Sequence, residues 1–168
     1  MAITTAASAE AIGGSITTRT VAGPDRRGKR VRPADAGHNA GVHPIAVVAA
    51  VIAALIHAWF FLLESVWFMR PRVFARFGLT SSEQAAVVRS FAWNQGFYNL
   101  FLAVGVALGL ALVLGNDAAT GRTLVLFACG SMVAAGVVLV LHNARFLRAA
   151  AIQVVPALAA VLATWLLP

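Results

Sequence analysis

Charge is scarce in this chain. Of 168 residues, 11% are charged and only six are Asp or Glu. Cysteine is scarcer: the single Cys129 excludes an intrachain disulfide and makes no metal site by itself. The chain has no His-Glu-x-x-His run, no second carboxylate or thiol at ligand spacing and no phosphate-binding glycine loop. Neither Ser131 nor Cys129 has an evident base beside it. No catalytic set, metal or cofactor is therefore expected. What is abundant is apolar material, 60% hydrophobic residues with a mean hydropathy of +0.83, more than a soluble domain of this size requires. The formal charge is +7, but the bases lie in a tail and in loops flanking apolar runs. That placement fits a positive-inside signal and anionic headgroups, not a nucleic-acid partner.

Composition also divides the chain. Residues 1–43 are Ala/Ser/Thr/Gly-rich and then basic, with Arg26, Arg27, Lys29, Arg30 and Arg32 clustered and no helical apolar periodicity. Too little can be buried there to offset ordering entropy, so a disordered basic tail is expected. The apolar run that follows is too long for a cleaved signal and lacks a small-residue cleavage site. Residues 44–168 read as an all-α, integral-membrane four-helix transmembrane bundle, with spans at 44–69, 94–114, 123–141 and 149–167. Each is near the roughly 20 residues that cross a hydrocarbon core. Arg70-Pro71 is expected to stop the first span, because proline cannot continue the ladder. Thr80-Ser81-Ser82-Glu83 fits a capping box from which a helix runs toward the second span. Trp67, Trp93 and Trp165 fall near span ends as an aromatic belt would place them, whereas Trp59 lies deeper and is expected between helices. Gly105 and Gly109, and Ala159 and Ala163, have the four-residue spacing of small residues that lets helices approach, within one chain or between copies.

One span holds two ionisable residues, His57 and Glu64, seven apart on one face. On insertion scales a charged residue at mid-bilayer costs about 2.5–3.5 kcal/mol, so such groups face a bundle interior or a water-filled cavity. Four spans put the termini and the second connection at one side and the first and third connections at the other. Glu64, then Asn94, Gln95, Tyr98 and Asn99, then His142, Asn143, Arg145 and Arg148, and finally Gln153 all fall within roughly 10 Å of the latter side at 1.5 Å per residue. His57 lies about 10 Å deeper. Gln95, Tyr98, Asn99, Leu102, Gly105 and Gly109 follow one helical stripe that would meet Glu64 in an antiparallel neighbour. A polar vestibule open on one side is expected, with Glu64, His57, Asn94, Gln95, Tyr98, Asn99, Arg145 and Gln153 as candidate ligand- or proton-binding residues.

Each candidate also has a plainer role. Asn, Gln and Tyr often join membrane helices by hydrogen bonds worth about 0.6 kcal/mol on average in one measured case. Glu64 could be neutralised by Arg145 or Arg148, His57 could be a hydrogen-bonded core residue, and the two arginines could be interfacial anchors. Three functions compete: binding or movement of a small solute or proton, for which four spans would need a homo-oligomer; a non-catalytic scaffold or accessory subunit; and a membrane enzyme using Glu64 or His57, which lacks a nucleophile or cofactor.

The string Ala92-Trp93-Asn94-Gln95-Gly96-Phe97-Tyr98-Asn99-Leu100-Phe101-Leu102-Ala103 resembles the A-x-NQG-x-YN-x-FLA signature of the bacterial domain of unknown function 1304 family. His57 and Glu64 in the first span, Phe77-Gly78-Leu79-Thr80, and Gln153 with Pro156-Ala157 fit it too. The resemblance covers roughly 44–168 and implies a small four-span inner-membrane protein with no established activity to carry over. The tail before about Val42 exceeds the family's usual length, and Gln153-Val154 stands where relatives tend to have Gln-Gly. The polar side carries Arg70, Arg72, Arg76, Arg89, Arg145 and Arg148, and the opposite side Arg122 plus the five tail bases. Leaving the tail aside, the positive-inside rule puts the polar side in the cytoplasm.

Overall fold

The structure, a computed structural model, describes residues 42–115 and 117–167. The expected basic tail, with Arg26, Arg27, Lys29, Arg30 and Arg32, lies outside them apart from its last two residues. Helix α1 spans Pro44–Phe61 and continues as a π-helical turn, Leu62–Val66; α2 is Pro71–Phe74, followed by a 3-10 turn, Ala75–Phe77. Helix α3 is Ser82–Leu114 and α4 Ala118–His142; a 3-10 turn, Ala144–Phe146, leads into α5, Leu147–Leu166. Among the described residues, four helical segments are long and apolar enough to cross a membrane.

Local chemistry sets the helix starts. Pro44 occupies the first turn of α1, where a missing N–H is no loss, and His43 Nδ1 accepts from Ile45 N at 3.3 Å. Ser81 caps α3 through its hydroxyl, which accepts from Gln84 N, and Gln84 Oε1 accepts in turn from Thr80 N at 2.9 Å. The capping box thus uses Ser81 and Gln84, one residue later than the expected Thr80 and Glu83, because Ser81 is the residue with extended backbone. Asp117 caps α4, its Oδ1 accepting from Thr120 N at 3.1 Å. Hydrogen bonds from the Thr120 side chain and backbone hold this carboxyl below its usual range. Helix α3 is continuous through its family-like signature, so the first connection shrinks to residues 67–81.

The packing is inside-out relative to a soluble bundle. Helix α1 turns Ala46, Ala49, Ala50 and Ala53 inward and exposes Ile45, Val48 and Leu55. The shared core is mostly small: Ala49, Ala50 and Ala53 join Ala128 and Cys129 of α4 and Ala157 and Ala160 of α5, around Val106, Val125 and Met132. Lipid removes the hydrophobic drive between helices, so close backbone approach through small residues does the packing. Helix α1 packs on α3 and α5, and α4 packs on α3 and α5, which closes a four-helix ring.

Glycine lets α3 and α4 touch backbone to backbone. A Cβ on Gly121 would lie 2.5 Å from Gly109 O, and one on Gly105 would lie 3.6 Å from Ala128 Cβ. The Gly105/Gly109 pair therefore faces α4 of the same chain. Trp59, expected between helices, instead lies on the outer face, 47% exposed, with its ring edge-on to Trp67 at 5.4 Å. The reason is again size: α1 keeps alanines for its inner face and sends bulk outward.

Two contacts fix the ends. Arg122 Nη2 at the start of α4 donates to Thr164 O near the end of α5 at 2.7 Å. At the other end Arg145, in the third connection, reaches Gly78 in the first.

Candidate functional site

Glu64 sits at the centre of the π-helical turn. There Trp67 N donates to Leu62 O, five residues back, at 2.8 Å. A π turn inserts an extra residue into the helix and is common at functional sites. Asn99 Nδ2 of α3 donates to Glu64 Oε2 at 2.8 Å. This leaves Oε1 of the carboxylate and the Asn99 carbonyl oxygen as acceptors for something else. Next to the pair, Ser65 Oγ donates to Trp93 O at 3.0 Å, which ties the π turn to α3 a second time.

Gly96 makes this approach possible. A Cβ there would overlap the Ser65 hydroxyl and lie 3.2 Å from Glu64 Cβ. The glycine of the Asn-Gln-Gly run therefore serves contact between α1 and α3, which a larger side chain would prevent. Phe61, Phe97 and Trp93 line the flank, with Phe61–Phe97 edge-on at 5.2 Å and Trp93–Phe97 at 5.0 Å.

His57 is buried, and its Nδ1 lies 2.9 Å from Ala53 O. A carbonyl can only accept, so Nδ1 is the donor in this bond. The Phe60 ring stands edge-on to the imidazole at 6.0 Å. Two helical turns, roughly 10 Å, separate His57 from Glu64.

The other candidates scatter. Asn99 is buried, but Asn94, Gln95 and Tyr98 are exposed on the outside of the bundle. The inner face of α3 includes Gly96, Asn99, Ala103, Val106, Gly109, Leu110 and Val113, so of the expected Gln95-Tyr98-Asn99-Leu102-Gly105-Gly109 stripe Asn99 and Gly109 lie on it and Leu102 packs at its edge, whereas Gln95 and Tyr98 face outward. Arg145 is exposed, stacked over Phe146 at 4.6 Å, and Asn99 rather than an arginine holds Glu64. His142, Asn143 and Arg148 are exposed at the same end, and Gln153 is half-buried with its Nε2 toward Gly136 of α4. A cavity of about 710 Å³ lies elsewhere, between α1 and α5, and is lined by apolar residues such as Val48, Ile52, Val155 and Pro156. Sequence reasoning missed Ser65, Gly96 and the π turn; only Gly96, a small residue within the signature, carried a readable signal. Among the described residues no cluster of three or more His, Cys, Asp or Glu could hold a metal ion.

Four antiparallel apolar helices with alanines inside, bulky side chains outside and one carboxylate–amide pair between two of them define a multi-pass membrane protein. The chain belongs to the family described as "Protein of unknown function (DUF1304)", whose model matches residues 51–165. No curated protein and no solved structure matches it.

Proposed function

We propose that the bundle binds, and moves, a proton or a small solute at Glu64. The observation that carries this reading is a carboxylate in the π turn of a membrane span, held by one amide and left with a free oxygen. With Oε2 fixed by Asn99, Oε1 is the atom that takes a proton or accepts from a ligand's donor. Protonation changes the carboxyl from acceptor only to donor and acceptor, so it can re-pair with the Asn99 carbonyl oxygen. His57 offers a second proton acceptor deeper along the same helix. A π turn can return to α-helical pairing by shifting its extra residue, which would re-aim Glu64.

Six arginines at the Glu64 end against Arg122 at the other, among the described residues, support a cytoplasmic Glu64 end in a bacterial cell membrane. Exposed Asn94, Gln95 and Tyr98 suit a second copy of the chain, which would complete a wider polar passage. The experiment is ion and solute flux in proteoliposomes with Glu64→Gln, which keeps shape and removes charge. Flux or proton coupling is expected to fall to background in a well-inserted variant. A second reading, a scaffold in which the Glu64–Asn99 bond only locks α1 to α3, rests on the same bond and predicts unchanged flux.

A further inference from the structure

We propose that the first and third connections together form a binding site for the phosphate of an anionic phospholipid headgroup, built around Arg76 and Arg145. The proposal is independent of what Glu64 does.

Arg70, Arg72, Arg76, Arg145 and Arg148 are exposed in or beside these connections, and Arg89 is exposed on the nearby first turns of α3. Among the described residues, the two carboxylates at this end have partners of their own: Glu64 accepts from Asn99, and the exposed Glu83 from the Ser82 hydroxyl at 3.4 Å. Among the described residues no carboxylate pairs with any of the six arginines.

The fold nevertheless brings the two basic connections together. Helix α2 buries Val73 and Phe74, the latter in a cluster with Phe68 and Ala85, and leaves Arg72 exposed, as Arg76 is in the 3-10 turn that follows. The turn then reverses at Gly78 in the left-handed region, φ 81°. Into the space that a side chain there would fill comes Arg145: its Nη2 would lie 2.8 Å from a Cβ on Gly78. An arginine of the third connection thus lies over the first connection, two residues from Arg76. Unscreened cations side by side repel unless an anion lies between them. The planar guanidinium fork matches phosphate oxygens two at a time.

Position selects the source of the phosphate. The α1 span ends at Val66, and the Trp67 ring beside it carries the Arg70 guanidinium at 5.1 Å, an arrangement suited to the headgroup layer. Lipid phosphates are dense at that depth, whereas a soluble phosphate would have to compete with them.

The test uses the full chain in mixed micelles, with phosphatidylglycerol or phosphatidylcholine, read by native mass spectrometry and thermal unfolding. Wild type is expected to retain phosphatidylglycerol over phosphatidylcholine, with retention falling as salt rises. Arg76→Gln with Arg145→Gln should lower phosphatidylglycerol retention about tenfold, the scale of losing charge-assisted hydrogen bonds. Arg122→Gln, at the opposite end, should leave it unchanged. Equal retention of both lipids by wild type, or full retention by the double variant, overturns the site. If inorganic phosphate alone raises the unfolding temperature as much as phosphatidylglycerol does, the ligand is a soluble phosphate and the lipid assignment is wrong. The salt series on wild type decides the matter even if the double variant does not fold: salt-insensitive retention overturns the proposal.

Discussion

Gly121→Leu is expected to destabilise the bundle by about 3 kcal/mol, the upper part of the range for overpacked interiors. What blocks the new side chain is backbone: a Cβ at Gly121 would lie 2.5 Å from Gly109 O and 2.6 Å from Val113 N. A flexible neighbour could swing aside, but a carbonyl and an amide inside the long helix α3 cannot. Helices α3 and α4 would have to part along their length, which opens the close contact that replaces a hydrophobic drive in lipid. Gly130 is the internal control, since a Cβ there meets nothing within 4 Å. Gly130→Ala should hold or raise stability, because alanine is the better helix former by about 0.8–1 kcal/mol. Unfolding by sodium dodecyl sulfate titration in detergent, followed by circular dichroism, measures both. Equal losses in the two variants would mean that the glycine contact between α3 and α4 is not what holds them.

The second large effect separates charge from hydrogen bonding at Glu64. Glu64→Leu leaves Asn99 Nδ2 buried without its acceptor, at a cost of about 1–3 kcal/mol. Glu64→Gln keeps an acceptor oxygen in the same place and should lose less than about 1 kcal/mol, in line with the modest net worth of hydrogen bonds in membranes. Removing both partners, Glu64→Leu with Asn99→Leu, should recover part of the loss, since no orphaned donor remains. The same titration reads all three. If Glu64→Gln were as destabilising as Glu64→Leu, the ionised carboxylate itself would be structural, and the scaffold reading would gain.

Much of this fold was legible in the sequence, and the side chains placed on the wrong face share one cause. Apolar length and the Arg70-Pro71 break located the spans, because a bilayer imposes length directly. Counting residues in antiparallel helices brought Glu64 to the level of Asn99, and the structure joins them. Polarity as the mark of an inner face puts Gln95 and Tyr98 on the inside of α3, where the structure does not have them. In a membrane the more reliable mark is small size: Gly96 and Ala103 point inward on α3, as the alanines do on α1, where Trp59 points out. The π turn had no signature at all. It arises where α1 meets α3 through Gly96 and Ser65, a tertiary contact that no local pattern in Leu62–Val66 encodes.

The claim on which the functional account rests is that Glu64 changes protonation while the protein works. Infrared difference spectroscopy of the protein in liposomes, across a pH step, reads the carboxyl C=O band directly. A band that appears on acidification in wild type and is missing in Glu64→Gln, with helix content and insertion unchanged, is the predicted result. A spectrum that Glu64→Gln does not alter would contradict it, because Glu64 would then hold one protonation state throughout.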